Sequence, residues 1–306
     1  MTTNISKSSC CKGLLLYNIR QIVQIVDNDT CFLGNDMKNI KVLTSDDCSL
    51  AILCKNGKIA AIERSEKFDF IKEHSITDRL DCGGGCVLPG LVDGHTHPVF
   101  AGDRVHEFAM KLAGATYMDV QAAGVASTSP LKKQEKLQKI HLENIDVFCE
   151  KNVFEIETSK KILQAGQKIG LKANFHADEL HPLGGTELAS EIKATAASHL
   201  EEISEAGINA LADAGTVAVL LPTTAYILRL KPPPARQMIE RGVCVALGSD
   251  FNPNAFCYSM PTVMNLACVT FKMSMSESLV AATLNAAHSL GRAAHMELYR
   301  LEEWQI

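Results

Sequence analysis

The distribution of apolar and polar positions divides this chain into two regions with different rhythms. In the first, up to about residue 86, short aliphatic and β-branched runs are separated by turn residues. Leu14 to Val26 predicts a strand. Leu50 to Glu63 predicts a hairpin turning at Asn56-Gly57, a pair suited to the two left-handed positions of a type I′ turn. Gly83-Gly84-Gly85 then punctuates the chain before an apolar run, Val87 to His97, that predicts another strand. From Ile140 onward strand and helix patterns alternate. Ile145 to Cys149, Leu171 to Phe175, Ala194 to Ser198, Val217 to Leu221 and Val243 to Leu247 predict short buried strands. Thr158 to Ile169, Glu201 to Ala214, Pro233 to Glu240, a segment from Pro261 and another from about Ser276 to Leu290 predict helices, with Gly170 and Gly215 as stops. Strands spaced by helices make βα units and a parallel sheet buried on both faces.

The candidate chemistry falls at one kind of place in that pattern. His95 and His97 stand one residue apart at the end of an apolar run. A strand sends i and i+2 to the same face, so both imidazoles can reach one metal ion. His176, His199 and Asp250 follow three further apolar runs, where a parallel α/β barrel collects its catalytic side chains. Each alone has a plainer explanation: a buried hydrogen-bonded His, or an Asp capping the next turn. Together they make a donor set of imidazoles and one carboxylate that suits zinc or iron and leaves a position for water. Such an ion lowers the pKa of a bound water toward about 7. Asp250 is then the candidate general base, and Glu179, three residues after His176, the candidate proton shuttle. A helical reading of His176-Ala177-Asp178-Glu179 would suit a diiron carboxylate motif. The β-like run before it and the lack of a second copy argue for the strand.

Composition narrows the function by exclusion. Thirty Lys and Arg against 35 Asp and Glu give a net charge of −5, without a basic run, so nucleic acid is not an expected partner. The polar, cysteine-bearing Met1 to Lys12 does not read as a signal peptide, and no apolar run is long enough to span a membrane. Eleven cysteines, an odd number without metal-type spacing, read as free thiols of a cytoplasmic protein.

PGLVDGHTHP (Pro89 to Pro98), HADE (from His176), SHLEE (from Ser198) and GSDFNP (from Gly248) resemble the amidohydrolase superfamily. Longer stretches, HTHPVFAGDR, ENIDVFCEK, NFHADELHP, LLPTTAY and ALGSDFNPNAFCYSMP, resemble the imidazolonepropionase family within it. The matches cover about Gly13 to Gly124 and Leu142 to Arg292. The resemblance implies an α/β fold, a (β/α)₈ TIM-like amidohydrolase barrel over residues 87–292, and a small β-sandwich-like domain over 1–86. It implies hydrolysis of the cyclic amide of 4-imidazolone-5-propanoate to N-formimidoyl-L-glutamate in histidine degradation. One Zn²⁺ or Fe³⁺ per chain would be held by His95, His97, His176 and Asp250, with His199 beside the water rather than a full ligand. Glu179 would contact the substrate and move a proton, Arg104 would clamp the propanoate, and Asn252, Asn254 and Ala255 would line the pocket. A small-molecule substrate is the expected partner, with a homodimer as the candidate assembly. Other amidohydrolases, guanine deaminase-like or dihydroorotase-like, form the alternative class, and a catalytically impaired short form is a third.

Two departures from the family stand out. Between Gly124 and Leu142 the family carries a longer segment holding two βα units, each of roughly 30 residues or more. It includes a Tyr and a His that contact substrate and have no counterpart here. The family also continues past Arg292, where this chain has an unmatched tail, 293–306. A barrel without two of its strands must expose edges or re-pair at a different curvature.

Overall fold

A computed structural model describes residues 13–25, 31–68, 76, 78–99, 104–116, 119–120, 123 and 143–293. The Gly124 to Leu142 junction and nearly all of the tail lie outside the described residues. The chain divides into two compact units.

The first unit is a five-stranded sheet: β1 (Gly13–Ile25), β2 (Ile40–Thr44), β3 (Leu50–Lys55), β4 (Lys58–Arg64) and β5 (Asp78–Val87). β1 pairs antiparallel with β2 and β3 and parallel with β5. The β3–β4 hairpin closes through Asn56 at φ 53° and Gly57 at φ 77°, the positive values the Asn-Gly pair anticipates. Alternation along β3 feeds two apolar clusters. Leu50 and Ile52 pack with Ile19, Ile22 and Ile62, while Ala51 and Leu53 pack with Leu15 and Phe68.

The second unit holds the Gly34–Lys38 turn and the βα units that carry the candidate chemistry. After helix α1 (Val105–Leu112), strands β6 (Asn144–Ile145), β7 (Phe148–Cys149), β8 (Lys172–Ala177), β9 (Ala196–His199), β10 (Val217–Leu220) and β11 (Val245–Leu247) form one parallel sheet. Its order is β11-β10-β9-β8-β6, with β7 also on β8. β9, β10 and β11 are buried at every position, so both faces are covered, and Ala196, Val217, Val219, Leu221, Ala246 and Ala286 share one buried cluster. The helices between are α2 (Ile156–Lys168), α3 (Gly185–Glu191), α4 (Glu205–Ala214), α5 (Pro222–Leu228) and α6 (Ala235–Glu240). Then come α7 (Met260–Thr270), α8 (Met275–Ala281) and α9 (Leu284–Ser289). Among the described residues no helix is long and apolar enough to cross a membrane.

Four expected elements differ in detail. The expected Val87 to His97 strand ends at Val87; residues 88–99 form no regular strand. The Ile145 to Cys149 run breaks into two pairs, because Asp146 turns its carboxylate to His176 instead of continuing the ladder. The helix expected from Glu201 starts at Glu205, where Ser204 supplies the cap by accepting from the Gly207 amide. The helix expected from Ser276 to Leu290 is two: Thr283 leaves helical geometry and its hydroxyl donates to the Leu279 carbonyl, separating α8 from α9.

The sheet edge meets the residue 91–97 segment backbone to backbone. The Gly94 amide donates to the Leu247 carbonyl at 3.0 Å, Asp250 to His95 at 2.8 Å, and His97 to Phe251 at 2.8 Å. A Cβ at Gly248 would lie 2.7 Å from the His95 nitrogen and 2.9 Å from its oxygen. Backbone atoms on both sides cannot yield, so Gly248→Ala should cost about 1–3 kcal/mol of stability through overpacking. Urea melts of the two proteins check this; an unchanged midpoint would mean the two segments can separate at no cost.

Candidate active site

Local sequence explains how each donor is held. Asp93, two residues before His95, accepts from the amide of Ser249 at 2.8 Å and from its hydroxyl, tying the His-bearing segment to the residue before Asp250. Asp178, at φ 48°, accepts from the amides of Leu183, Gly184, Gly185 and Thr186. It thereby fixes the turn that follows His176 and starts α3. The buried Glu150 carboxylate takes the Leu180 amide at 2.9 Å and His181 Nδ1 at 2.8 Å, bracing the same turn from the β7 side.

The expected donors converge. His95 Nε2 lies 3.0 Å from His97 Nε2, and Asp250 Oδ1 lies 3.5 Å and 3.3 Å from these two nitrogens. The two rings meet edge to face, with centroids 4.9 Å apart, although no regular strand carries them. The ligand atoms of His95, His176, His199 and Asp250 all lie within 4.8 Å of one another, as do those of His97, His176 and Asp146. The second set adds Asp146, which stands in the run expected as a buried strand. Its signal was a lone acid interrupting an apolar run. His199 is 1% exposed at φ 81°, with Nδ1 at 3.7 Å from Glu179 and 3.9 Å from Glu201.

Electrostatics separates these groups by role. Burial holds the His199 ring well below the ordinary histidine range, so it is neutral. Burial also opposes charge on His176, but the Asp146 carboxylate at 2.9 Å outweighs it and raises the ring to about 9. Asp250 is buried too, yet His95 and His97 hold its carboxyl well below the carboxylate range. Burial pushes Glu179 up to about 8, with Asp250 adding to the rise. Two carboxyls in one cavity are thus driven apart: one an anion, the other able to carry a proton near neutrality.

The residues present fit a metal ion. Asp250 Oδ1 is buried without a hydrogen-bond partner, a cost that a cation beside it would remove, and the ring nitrogens of His199, also buried without a partner, have room for a bond to a water there. His95 Nδ1 is engaged by the Ser198 hydroxyl at 2.9 Å and His176 Nδ1 by Asp146, which leaves each Nε2 for the ion. Asp146→Ala should therefore weaken metal binding by about 10–100-fold, the usual cost of losing a carboxylate that orients a ligating histidine. Competition with a chromophoric chelator reads this, and an unchanged affinity would remove Asp146 from the role.

A cavity of about 320 Å³ opens on these groups. Arg104, Glu179, Asn252, Asn254 and Ala255 all line it. Asn252 to Ala255 is a tight turn, with the Asn252 side chain accepting from the Asn254 amide at 2.7 Å and donating to the Asp250 carbonyl at 2.7 Å. Arg104 is not a bare guanidinium: Nε and Nη2 both donate to Glu107, a residue the sequence reading passed over.

The architecture and donor set define a class. An adenosine deaminase from Xanthomonas campestris with bound Zn is similar at TM-score 0.59 and 15% identity, covering 92% of this chain and 80% of that one. A guanine deaminase from C. acetobutylicum with guanine in its active site is similar at TM-score 0.62 and 14% identity, covering 91% and 87%. The chain thus shares the fold of these two deaminases, a mixed α/β architecture with a parallel sheet in one unit and a largely antiparallel sheet in the other.

Sequence similarity is more specific. A Bos taurus protein named "probable imidazolonepropionase" is 41% identical over 374 aligned positions, covering 92% of this chain and 87% of the relative. Proteins of the same name from Homo sapiens and Nematostella vectensis are each 40% identical, covering 92% and 96% of this chain and 87% and 94% of their own lengths. The chain belongs to the imidazolonepropionase family. No protein-family model matches it. The bovine alignment is longer than the 306-residue chain itself, so relatives carry sequence with no counterpart here.

Proposed function

We propose that this site binds one Zn²⁺ or iron ion and hydrolyses 4-imidazolone-5-propanoate to N-formimidoyl-L-glutamate. The observation that carries the reading is that His97, His176, Asp250, Glu179 and Arg104 line one cavity, with His95 Nε2 directly behind, 3.0 Å from His97 Nε2 and 3.5 Å from Asp250 Oδ1. A bound ion would acidify water and polarise the ring carbonyl. Asp250, with Oδ2 fixed by the Thr224 hydroxyl at 2.5 Å, keeps Oδ1 to accept the water's proton. His199, neutral and with Glu179 and Glu201 nearby at 3.7 and 3.9 Å, orients that water. Water oxygen bonds to the carbonyl carbon, the carbon–nitrogen bond of the ring breaks, and Glu179 in its protonated form supplies the proton to the leaving nitrogen. Arg104 grips the propanoate. A cytoplasmic setting suits the free thiols and the metabolite.

The direct test is metal-dependent release of N-formimidoyl-L-glutamate by the purified protein, lost in Asp250→Ala. Arg104→Lys keeps the charge but not the fork. It should weaken substrate binding by about 1.5–3 kcal/mol, the usual worth of a charged hydrogen bond. Titration calorimetry measures it, and equal affinity would mean that Arg104 does not touch the carboxylate.

A further inference from the structure

Glu107 brings a negative charge into the wall of a site built to take an anion, and that placement calls for a reason. It lies in the first turn of α1 and is completely buried. A bare carboxylate there would be costly, so its partners define what it does. Arg104 Nε donates to Oε1, Arg104 Nη2 donates to Oε2 at 2.5 Å, and Asn254 Nδ2 donates to Oε2 at 3.1 Å. Both partners line the cavity beside Asp250, and they come from opposite sides of it in sequence. The chain of bonds continues from the Asn254 amide to the Asn252 side chain and from there to the Asp250 carbonyl.

We propose that Glu107 is a positioning residue for recognition of the substrate carboxylate, an inference that rests on the function proposed above. A guanidinium has two usable forks. Glu107 occupies the Nε–Nη2 edge and so presents the Nη1–Nη2 edge to a second carboxylate, the one on the ligand. The arrangement also sets the rotamer of Arg104 before substrate arrives, which removes an ordering cost from binding. By holding Asn254 as well, Glu107 couples the anion-gripping wall to the loop that follows the general base.

A purely structural ion pair would stabilise α1 and leave ligand choice alone, so the test reads ligand choice. Metal-loaded wild type, Glu107→Gln and Glu107→Asp are titrated with 4-imidazolone-5-propanoate and with its carboxamide analogue, which lacks the negative charge. Melting temperature and metal content are followed in parallel. The wild type should prefer the carboxylate. Glu107→Gln turns one acceptor into a donor facing Arg104, and should lose at least about tenfold of that preference while its metal content stays the same. Glu107→Asp keeps the charge on a shorter arm and should recover part of the preference; it also carries the test if the Gln variant does not fold. Full preference in either folded variant overturns the role. Absence of binding of either ligand by the metal-loaded wild type overturns the assigned substrate first, and this role with it, which separates the two failures.

Discussion

Replacing His97 with alanine is expected to strip the purified protein of most of its metal, whereas replacing His199 leaves metal content near that of the wild type. The geometry makes this the informative pair. His97 Nε2 sits 3.0 Å from His95 Nε2 and 3.3 Å from Asp250 Oδ1, so the three donors face one point. Removing one of a few ligands of a structural set leaves the others unable to complete the coordination sphere. His199 is also within reach of His95, His176 and Asp250, but two carboxyls flank it and its backbone is held at φ 81°. Those constraints suit a group that orients a water. Elemental analysis of both variants decides between the two histidines. Full metal in His97→Ala together with loss in His199→Ala would exchange their roles, and turnover should fall in both.

The second large effect concerns the segment that relatives carry and this chain does not. A version with a family-length insert at Gly124 is expected to turn over 4-imidazolone-5-propanoate at least about a hundredfold faster than the chain as it stands, because small misplacements of a reacting carbonyl cost on that order. The two proteins should nevertheless bind metal alike, since the rings of His95, His97 and His176 stand with centroids 4.7–5.3 Å apart and Asp250 Oδ1 lies 3.5 and 3.3 Å from the first two within this chain. Comparable turnover by both proteins would show that the shortened chain holds its substrate as well as its longer relatives do. Light scattering on the same samples reports whether the insert also makes the protein more monodisperse.

How much of this was legible in the sequence depended on the range of the interaction involved. Asn56-Gly57 fixed a hairpin because the cause lies in the two residues themselves. The His95 and His97 pair was legible as two imidazoles one residue apart, but the expected strand is absent, and hydrogen bonds to residues 247–251 hold the segment instead. The run from Leu171 to Phe175 announced β8 by its alternation of apolar and polar residues, and placed His176 near its end. What stayed hidden were carboxylates that act on other side chains. Asp146, Glu107, Glu150 and Asp93 find His176, Arg104, His181 and Ser249, and three of these pairs are far apart in the chain. Glu107 is only three residues from Arg104, yet nothing local says that its charge is buried. The break at Thr283 escaped for a similar reason, since the apolar periodicity continues across it while the hydroxyl turns back onto the preceding turn.

The contact between the Gly94 and Gly248 segments has a bearing on protein engineering. Asp93 and Ser249 stand 156 positions apart, yet their segments meet through backbone atoms and the two Asp93 hydrogen bonds, with no side-chain thickness between them. For anyone recombining this chain with its relatives, residues 91–98 and 246–251 therefore behave as one inheritable block. A crossover placed between them pairs surfaces that were shaped in different parents, however high the identity elsewhere. Chimeras that take both segments from one parent should keep the ligand geometry, and the choice of parent for the helices around them can then be made freely.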